Sequence, residues 1–116
     1  MDVRSDSDSM TVPNPPYYAV LFTAKRRRRD GDGYDAMDTA LFAKVGHQQG
    51  YLGHECFSRA DGTSLTISYW QSLEDITAWR DNALHQEARR RGREAWYEEF
   101  TVQITRVERV SRFHRT

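Results

Sequence analysis

Three tryptophans and one histidine are the residues of this sequence whose types and spacing could do chemistry. Trp70 ends an alternating strand pattern, and Trp79 lies on the helical stretch that follows. His85 begins the next helical stretch, and Trp96 lies eleven residues later, three helical turns away. Aromatic rings from a strand and from helices could line one apolar cavity. Because a neutral imidazole there can accept a phenolic proton near neutral pH, His85 is the predicted general base.

Each of these residues also has a purely structural interpretation. A tryptophan at the position of Trp79 often packs against a sheet, and the same ring can also form a wall of a cavity. His85 is equally well explained as a surface or capping histidine. His54 is a second candidate proton acceptor, but it is next to Glu55 in the sequence and could as readily lie on the outer face of the sheet. Which faces His54 and Trp70 adopt is left open, because a β-bulge would reverse the alternation.

The composition argues against several classes of partner. The 116 residues contain 17 basic and 17 acidic side chains, so no net charge attracts nucleic acid. No apolar run approaches the roughly 18 residues of a membrane span, and the polar N-terminus lacks a signal-like apolar run, which predicts a cytoplasmic protein. The single cysteine, Cys56, has no second thiol for a disulfide or metal site. The run from Arg26 to Arg29 is interpreted as a solvated loop.

Hydrophobic periodicity predicts the order strand, helix, strand, strand, helix, strand. With right-handed crossovers this order gives an α+β, ferredoxin-like fold, with both helical segments on one face of a four-stranded antiparallel sheet. Val107 falls out of phase with Val102 and Ile104, which predicts a bulge near it. The predicted strands are 17–24, 51–58, 63–71 and 100–110, with helical segments from Tyr34 to a closing Gly50 and from Ser72 to about Trp96, the latter broken at 81–82. Residues 1–16 are expected to be a disordered tail, 17–110 the domain and 111–116 a C-terminal tail.

Short motifs in this order resemble the antibiotic biosynthesis monooxygenase family of dimeric α+β barrel proteins. The motifs are Gly50-Tyr51-Leu52-Gly53, Ser68-Tyr69-Trp70 with Ser72 capping a helix, and then Trp79, His85, Gly92, Trp96-Tyr97 and Val107-Glu108. The resemblance covers about residues 17–110. It implies a homodimer whose sheets form a barrel, with a ligand cavity between sheet and helices in each subunit.

The resemblance also implies roles for single residues. Trp70 is similar to the strand tryptophan of the polyketide-oxidising branch, although the asparagine that branch pairs with it is missing from this strand. Arg89 stands where the haem-degrading branch has its iron-ligating histidine, which disfavours haem. Catalytic His85 and Trp70 and substrate-binding Trp79 and Trp96 are therefore expected to work without a cofactor.

Two functions follow from these observations as hypotheses. The first is a cofactor-independent monooxygenase that uses molecular oxygen on an electron-rich aromatic such as a phenol, quinol or anthrone. The second is a non-catalytic dimeric binder or stress protein that holds a hydrophobic metabolite in the same cavity. Oxygen consumption with a panel of quinols and anthrones would separate them.

Overall fold

Four strands and three α-helices form the described part of the chain, residues 12–27 and 31–115 of the computed structural model. A π-helical turn joins the last helix to the last strand. In chain order the elements are β1 (Tyr17–Arg26), α1 (Tyr34–Val45), β2 (Tyr51–Ser58), β3 (Thr63–Trp70), α2 (Leu73–Arg80), α3 (Ala83–Arg91), the π-helical turn (Gly92–Trp96) and β4 (Tyr97–Val107). Among these residues no helix is long and apolar enough to cross a bilayer.

The strands form one sheet in the order β2-β3-β1-β4, and every neighbouring pair is antiparallel. This is the strand order of the ferredoxin-like arrangement, so the predicted fold is confirmed. β1 lies between β3 and β4, and its side chains from Tyr17 to Ala24 are buried or partly buried. Residues that pair directly across two strands present their side chains on the same face, so the register fixes which residues share a face.

The ends of the strands differ from the predicted ones. β1 continues through Lys25 to Arg26, residues that the sequence placed in a loop, and β4 begins and ends three residues earlier than expected. The bulge predicted near Val107 lies instead at the opposite end of β4, where the register shifts between Lys25 and Arg26. Val107 simply faces the other side of the sheet, where it pairs with Tyr17, so its phase needs no bulge.

The connections follow the predicted turn and cap chemistry. The hairpin between β2 and β3 turns through Gly62, whose φ of 91° suits glycine. The hydroxyl of Ser72 accepts a hydrogen bond from the Asp75 backbone N–H and so caps α2. The break predicted at residues 81–82 separates α2 from α3, and the side chain of Asn82 caps α3. The helix that begins at Tyr34 ends at Val45, before the predicted Gly50.

Two apolar clusters lie on opposite sides of the sheet. On the helix side, the Trp70 cluster has a buried centre, and partly buried apolar side chains pack around it. The centre is Val45, Trp70 and Ile76, and the surrounding residues are Tyr18, Val20, Phe42, Tyr51 and Trp79. On the open side, Tyr17, Ala19 and Tyr69 are buried against Leu21, Ile67, Val107, Val12 and Val110.

The open side is covered in part by segments next to the two chain ends. Val12 and Val110 pack on the buried cluster there, and the Arg112 guanidinium donates to the Val12 carbonyl oxygen at 2.9 Å. Residues 1–11 of the predicted tail lie outside the described residues. The domain boundaries at 16 and 110 stay predictions.

Candidate functional site

Trp70 lies at the centre of the helix-side layer, at the C-terminal end of β3. Its side chain is 1% exposed, and its indole N–H donates to the Ser68 hydroxyl at 2.9 Å. Val45 from α1 and Ile76 from α2 close over the ring. Trp70 therefore faces the helices and not the open side, which answers the question that the sequence left open.

His85 lies in the first turn of α3, where Asn82 holds it beside Trp79. The Asn82 side-chain oxygen accepts hydrogen bonds from the backbone of Leu84 and His85. The imidazole stacks on the Trp79 ring with centroids 4.8 Å apart. Its Nδ1 lies 3.1 Å from the Trp79 carbonyl oxygen. Because a carbonyl can only accept, Nδ1 carries the proton, and the neutral ring keeps a lone pair on Nε2.

The surroundings of His85 also keep it neutral. Burial lowers the pKa of His85 below its ordinary value of 6.5, although the hydrogen bond to the Trp79 carbonyl acts in the other direction and the Arg89 charge adds a smaller lowering. At neutral pH the ring is therefore a base with a free acceptor nitrogen, as a general base requires. The sequence named the residue but no partner for it, and the structure supplies that partner.

A second histidine faces the helices from β2. The register of β2 on β3 shifts between Tyr51 and Gly53, so Tyr51 and His54 share the helix side although they are three residues apart. The His54 side chain is 3% exposed, and it stacks on the Phe42 ring of α1 with centroids 4.2 Å apart. Its Nδ1 forms a short hydrogen bond with the Tyr51 hydroxyl. His54 thus belongs to the helix side and not to the outer face.

An apolar floor extends from the Trp70 cluster towards the edge of the sheet. Ile104 of β4 pairs with Val20, and Val102 pairs with Phe22, so these four side chains share the helix side. Val102 and Ile104 are each 53% exposed, which shows that the helices leave this edge of the layer open. The floor offers a planar apolar molecule a surface next to the Trp70 cluster.

Trp96 lies at the opposite end of the sheet, within a group that we call the Trp96 cluster. Its indole N–H donates to the Asp32 carbonyl oxygen at 2.9 Å, and its ring meets the Tyr34 ring edge to face at 5.6 Å. The cluster comprises Arg26, Asp32, Tyr34, Arg91, Trp96 and Tyr97. Arg26 is not solvated as predicted, because it forms an ion pair with the Asp32 carboxylate at 3.0 Å and lies over the Tyr34 ring.

The two clusters are far apart along β1. Trp70 pairs with Tyr18 near the start of β1, whereas the Arg26 side chain bonds the Trp96 carbonyl at its end. Arg26 lies eight positions after Tyr18 in the strand, a distance of about 26 Å at 3.3 Å per residue. The structure therefore brings Trp70, Trp79 and His85 to one end of the helix side and places Trp96 at the other.

Gly92 explains how the Trp96 cluster packs. A Cβ atom at this position would lie 2.9 Å from the Tyr97 ring, so the absence of a side chain lets that ring approach the backbone. Gly92 also begins the π-helical turn that ends at Trp96. The residue that Gly92 allows to approach so closely is therefore Tyr97, an aromatic residue of the same chain. Burial and the nearby Tyr34 raise the pKa of Tyr97, so its phenol stays protonated.

Tyr51 and Phe42 are the candidate site residues that the sequence analysis missed. Both look like ordinary apolar positions, one in a strand and one in a helix. The signal that could have found Tyr51 is Gly53, whose φ of 139° accompanies the register shift. A glycine near the start of a strand often marks such a bulge, which would have placed Tyr51 and His54 on one side.

Comparisons with known proteins identify the class of this fold. The family described as monooxygenase af470-like matches residues 32–116. The uncharacterized protein YqjZ of Bacillus subtilis is 39% identical over 102 residues, which cover 88% of this chain and 89% of that protein. A jasmonate monooxygenase of Pyricularia oryzae is 24% identical over 93 residues, and the match spans 78% of this chain but 43% of the longer relative.

Solved structures show the same fold at low sequence identity. A cofactor-independent oxygenase from Streptomyces nogalater, SnoaB, has a TM-score of 0.69 at 8% identity and covers 83% of this chain and 97% of its own. An antibiotic biosynthesis monooxygenase-like protein from Nitrosomonas europaea also has a TM-score of 0.69, at 10% identity, with 84% and 95% coverage. The predicted resemblance to the antibiotic biosynthesis monooxygenase family is confirmed.

Proposed function

The chain belongs to the monooxygenase af470-like family, and we propose that it oxidises an electron-rich aromatic, such as a phenol, quinol or anthrone, with molecular oxygen and without a cofactor. The observation that carries this proposal is the hydrogen bond between His85 Nδ1 and the Trp79 carbonyl. It leaves a basic Nε2 on a neutral, half-buried ring next to an apolar layer. A base held in this way suits removal of a weakly acidic proton.

In the reaction proposed for this site, the substrate and molecular oxygen supply all the atoms and electrons. For an anthrone, His85 Nε2 takes a proton from the reactive position, and the electron-rich anion passes electrons to oxygen. The reduced oxygen bonds to the same carbon, and loss of water leaves a carbonyl there. One oxygen atom enters the product, the other leaves as water, and the two C–H bonds of that carbon supply the electrons.

The aromatic residues would bind and orient the substrate. Trp70 and Trp79 belong to one apolar cluster, and Val102 and Ile104 continue the surface to an open edge. In this proposal the substrate ring lies on the apolar floor, and its reactive edge meets His85. Trp70 keeps water away from the substrate anion. The substrate contact predicted for Trp96 stays a prediction.

An oxygen-uptake panel tests the proposal. Anthrones, quinols and simple phenols are offered to purified protein, together with jasmonate because one relative is named a jasmonate monooxygenase. We expect protein-dependent uptake with at least one electron-rich aromatic and a product containing one added oxygen atom. Saturable binding without any uptake above the spontaneous rate would instead support the second hypothesis, a non-catalytic binder.

We also propose a homodimer that closes the open side of the sheet. On that side Phe57 is 52% exposed, and Leu21, Ile67 and Val107 are only partly buried. A whole sheet face against a second copy would bury more than roughly 2,000 Å², as obligate homodimers do. Sedimentation should show a dimer at micromolar concentration, and a stable monomer would refute this part. The cytoplasmic location stays a prediction from the sequence.

A further inference from the structure

His54 holds its ring in place on two sides beneath α1. The imidazole stacks on Phe42 at an interplanar angle of 17°, and Nδ1 bonds the Tyr51 hydroxyl. Across the ladder His54 pairs with Ser68, whose hydroxyl already accepts the Trp70 indole N–H. The ring cannot turn without breaking both contacts, so the direction in which Nε2 points is fixed.

The partners of His54 decide which nitrogen carries the proton. Burial raises the pKa of Tyr51 to about 12, so its phenol is protonated at neutral pH. Burial lowers the pKa of His54, so the imidazole is neutral with a single N–H. We assign the phenol as donor to Nδ1, because in the described part of the chain Nδ1 is the one acceptor within hydrogen-bond distance of this hydroxyl. The N–H of His54 is then on Nε2.

Among the residues that the structure describes, His54 Nε2 is the buried side-chain nitrogen or oxygen that has no hydrogen-bond partner. Native proteins rarely bury an unpaired N–H, because the group loses its hydration without compensation. Over this nitrogen lies α1, in which only Val45 of 12 residues is buried. Because α1 is packed so lightly, one edge of a ligand can enter beside the stacked Phe42 and His54 rings without separating them.

We propose that His54 Nε2–H is a hydrogen-bond donor for the bound molecule, and that the site therefore selects aromatic ligands carrying a carbonyl or ionised hydroxyl oxygen on the edge that enters beneath α1. Phe42 and Tyr51 act as positioning residues that fix the ring. The inference rests on the proposed function for a ligand between helices and sheet, and it places the oxygen-bearing edge of that ligand at β2, on the other side of Trp70 from the floor on β4. It adds the chemical group by which the ligand is recognised.

Two probes of one shape test the inference. The ketone 1-tetralone carries an acceptor oxygen, and the hydrocarbon tetralin does not. Equilibrium dialysis gives the affinity of both for the wild type, for His54→Phe, which keeps the stacking ring but removes the donor, and for His54→Gln, which keeps an N–H near the position of Nε2. His47→Phe is the matched control, because His47 is exposed in the loop after α1.

We expect His54→Phe to reduce the preference for 1-tetralone over tetralin by about fivefold to tenfold, the value of one net hydrogen bond. His54→Gln should keep part of that preference, and His47→Phe all of it. The carbonyl stretching frequency of bound 1-tetralone should be lower in the wild type than in His54→Phe, a shift that a merely structural role would not produce.

An unchanged preference, an unchanged stretching frequency or no binding of either probe to the wild type would overturn the inference. If His54→Phe does not fold, the double variant Tyr51→Phe/His54→Phe takes its place, since it removes both polar partners together. The result is independent of turnover. Oxygen uptake with an unchanged ketone preference refutes only the role of His54, and a changed preference without any oxygen uptake refutes only the proposed reaction.

Discussion

The two ends of the helix side of the sheet are built differently, although both are rich in aromatic residues. In the Trp96 cluster the polar groups satisfy one another. The Asp32 carbonyl accepts from Trp96 Nε1 and from Arg91, and the Asp32 carboxylate pairs with Arg26. This end ties the loop before α1 to the π-helical turn, which is a structural task.

At the Trp70 cluster the polar groups are not all used. His54 Nε2 is buried without a partner in the described part of the chain, and the His85 tautomer leaves a basic nitrogen. Unused polar atoms cost stability, so a fold tolerates them where a ligand will meet them. This contrast in unused polar groups, rather than the number of aromatic rings, is why we propose that the Trp70 end carries out the chemistry.

The largest expected effect is a difference in the free energy of unfolding between a variant at the Trp96 end and a variant at the Trp70 end. Trp96 is 2% exposed, so Trp96→Ala should lower the free energy of unfolding by about 3–5 kcal/mol, as a lost core tryptophan does. Trp79 is only partly buried, and Trp79→Ala should cost less, about 1–3 kcal/mol. Urea denaturation at neutral pH measures both. Equal losses would mean that the Trp96 cluster has no special structural role. A large rise in KM for Trp96→Ala would support the substrate contact predicted for this residue.

The next effect concerns turnover at the Trp70 end. His85→Ala should lower kcat/KM on a verified substrate by about 10²-fold or more, the contribution of a positioned base. The far-UV circular dichroism spectrum should be unchanged, because the variant loses one hydrogen bond to the Trp79 carbonyl while Trp79 itself remains in place. His47→Ala is the exposed control. Full activity in His85→Ala would show that the general-base assignment is wrong.

A smaller effect tests the pairing of Tyr51 with His54. Tyr51→Phe leaves Nδ1 as a second unpaired buried nitrogen, so it should cost about 1–3 kcal/mol of unfolding free energy. Adding His54→Phe removes both polar partners and should return stability to near the wild-type value or above it. Thermal denaturation of both singles and the double gives the coupling. Additive losses would show that the two groups do not form a pair.

The smallest effect is a dependence of stability on pH. The folded-state pKa values of His54 and His85 lie below their ordinary value of 6.5. Just below pH 6.5 the unfolded chain therefore binds more protons than the folded chain. The free energy of unfolding should be highest above pH 6.5 and should fall as the pH is lowered. Urea titrations at neutral and mildly acidic pH should show a smaller fall in His54→Phe than in wild type. An equal fall would remove His54 as a cause.

The sequence was sufficient to predict the fold, because the strand and helix periodicities, the Ser72 cap and the hairpin at Gly62 are local signals. Residue type alone also named His85 and Trp70 as candidates, and their catalytic roles stay predictions. The sequence could not place His54, because a bulge between Tyr51 and Gly53 reverses the alternation and leaves no clear trace in residue type. Face assignment depends on register, which is a property of two strands together.

Trp96 shows a second limit of the sequence. Its spacing from His85 suggested one continuous helix face, and that reasoning assumed 3.6 residues per turn throughout. The π-helical turn from Gly92 to Trp96 changes that spacing, and an indole N–H bond to the distant Asp32 carbonyl fixes the ring at the other end. Local sequence patterns predict neither the π-helical turn nor a contact between residues 64 positions apart.

The most direct test of the account is the fate of oxygen in a reaction with metal-free and flavin-free protein. An anthrone or quinol identified by the uptake panel is incubated under isotopically heavy oxygen gas, and the product is analysed by mass spectrometry. The account predicts one heavy oxygen atom per product molecule in the wild type, and a rate about 10²-fold lower in His85→Ala. A product without the label, or labelling that requires an added metal or flavin, would contradict the account.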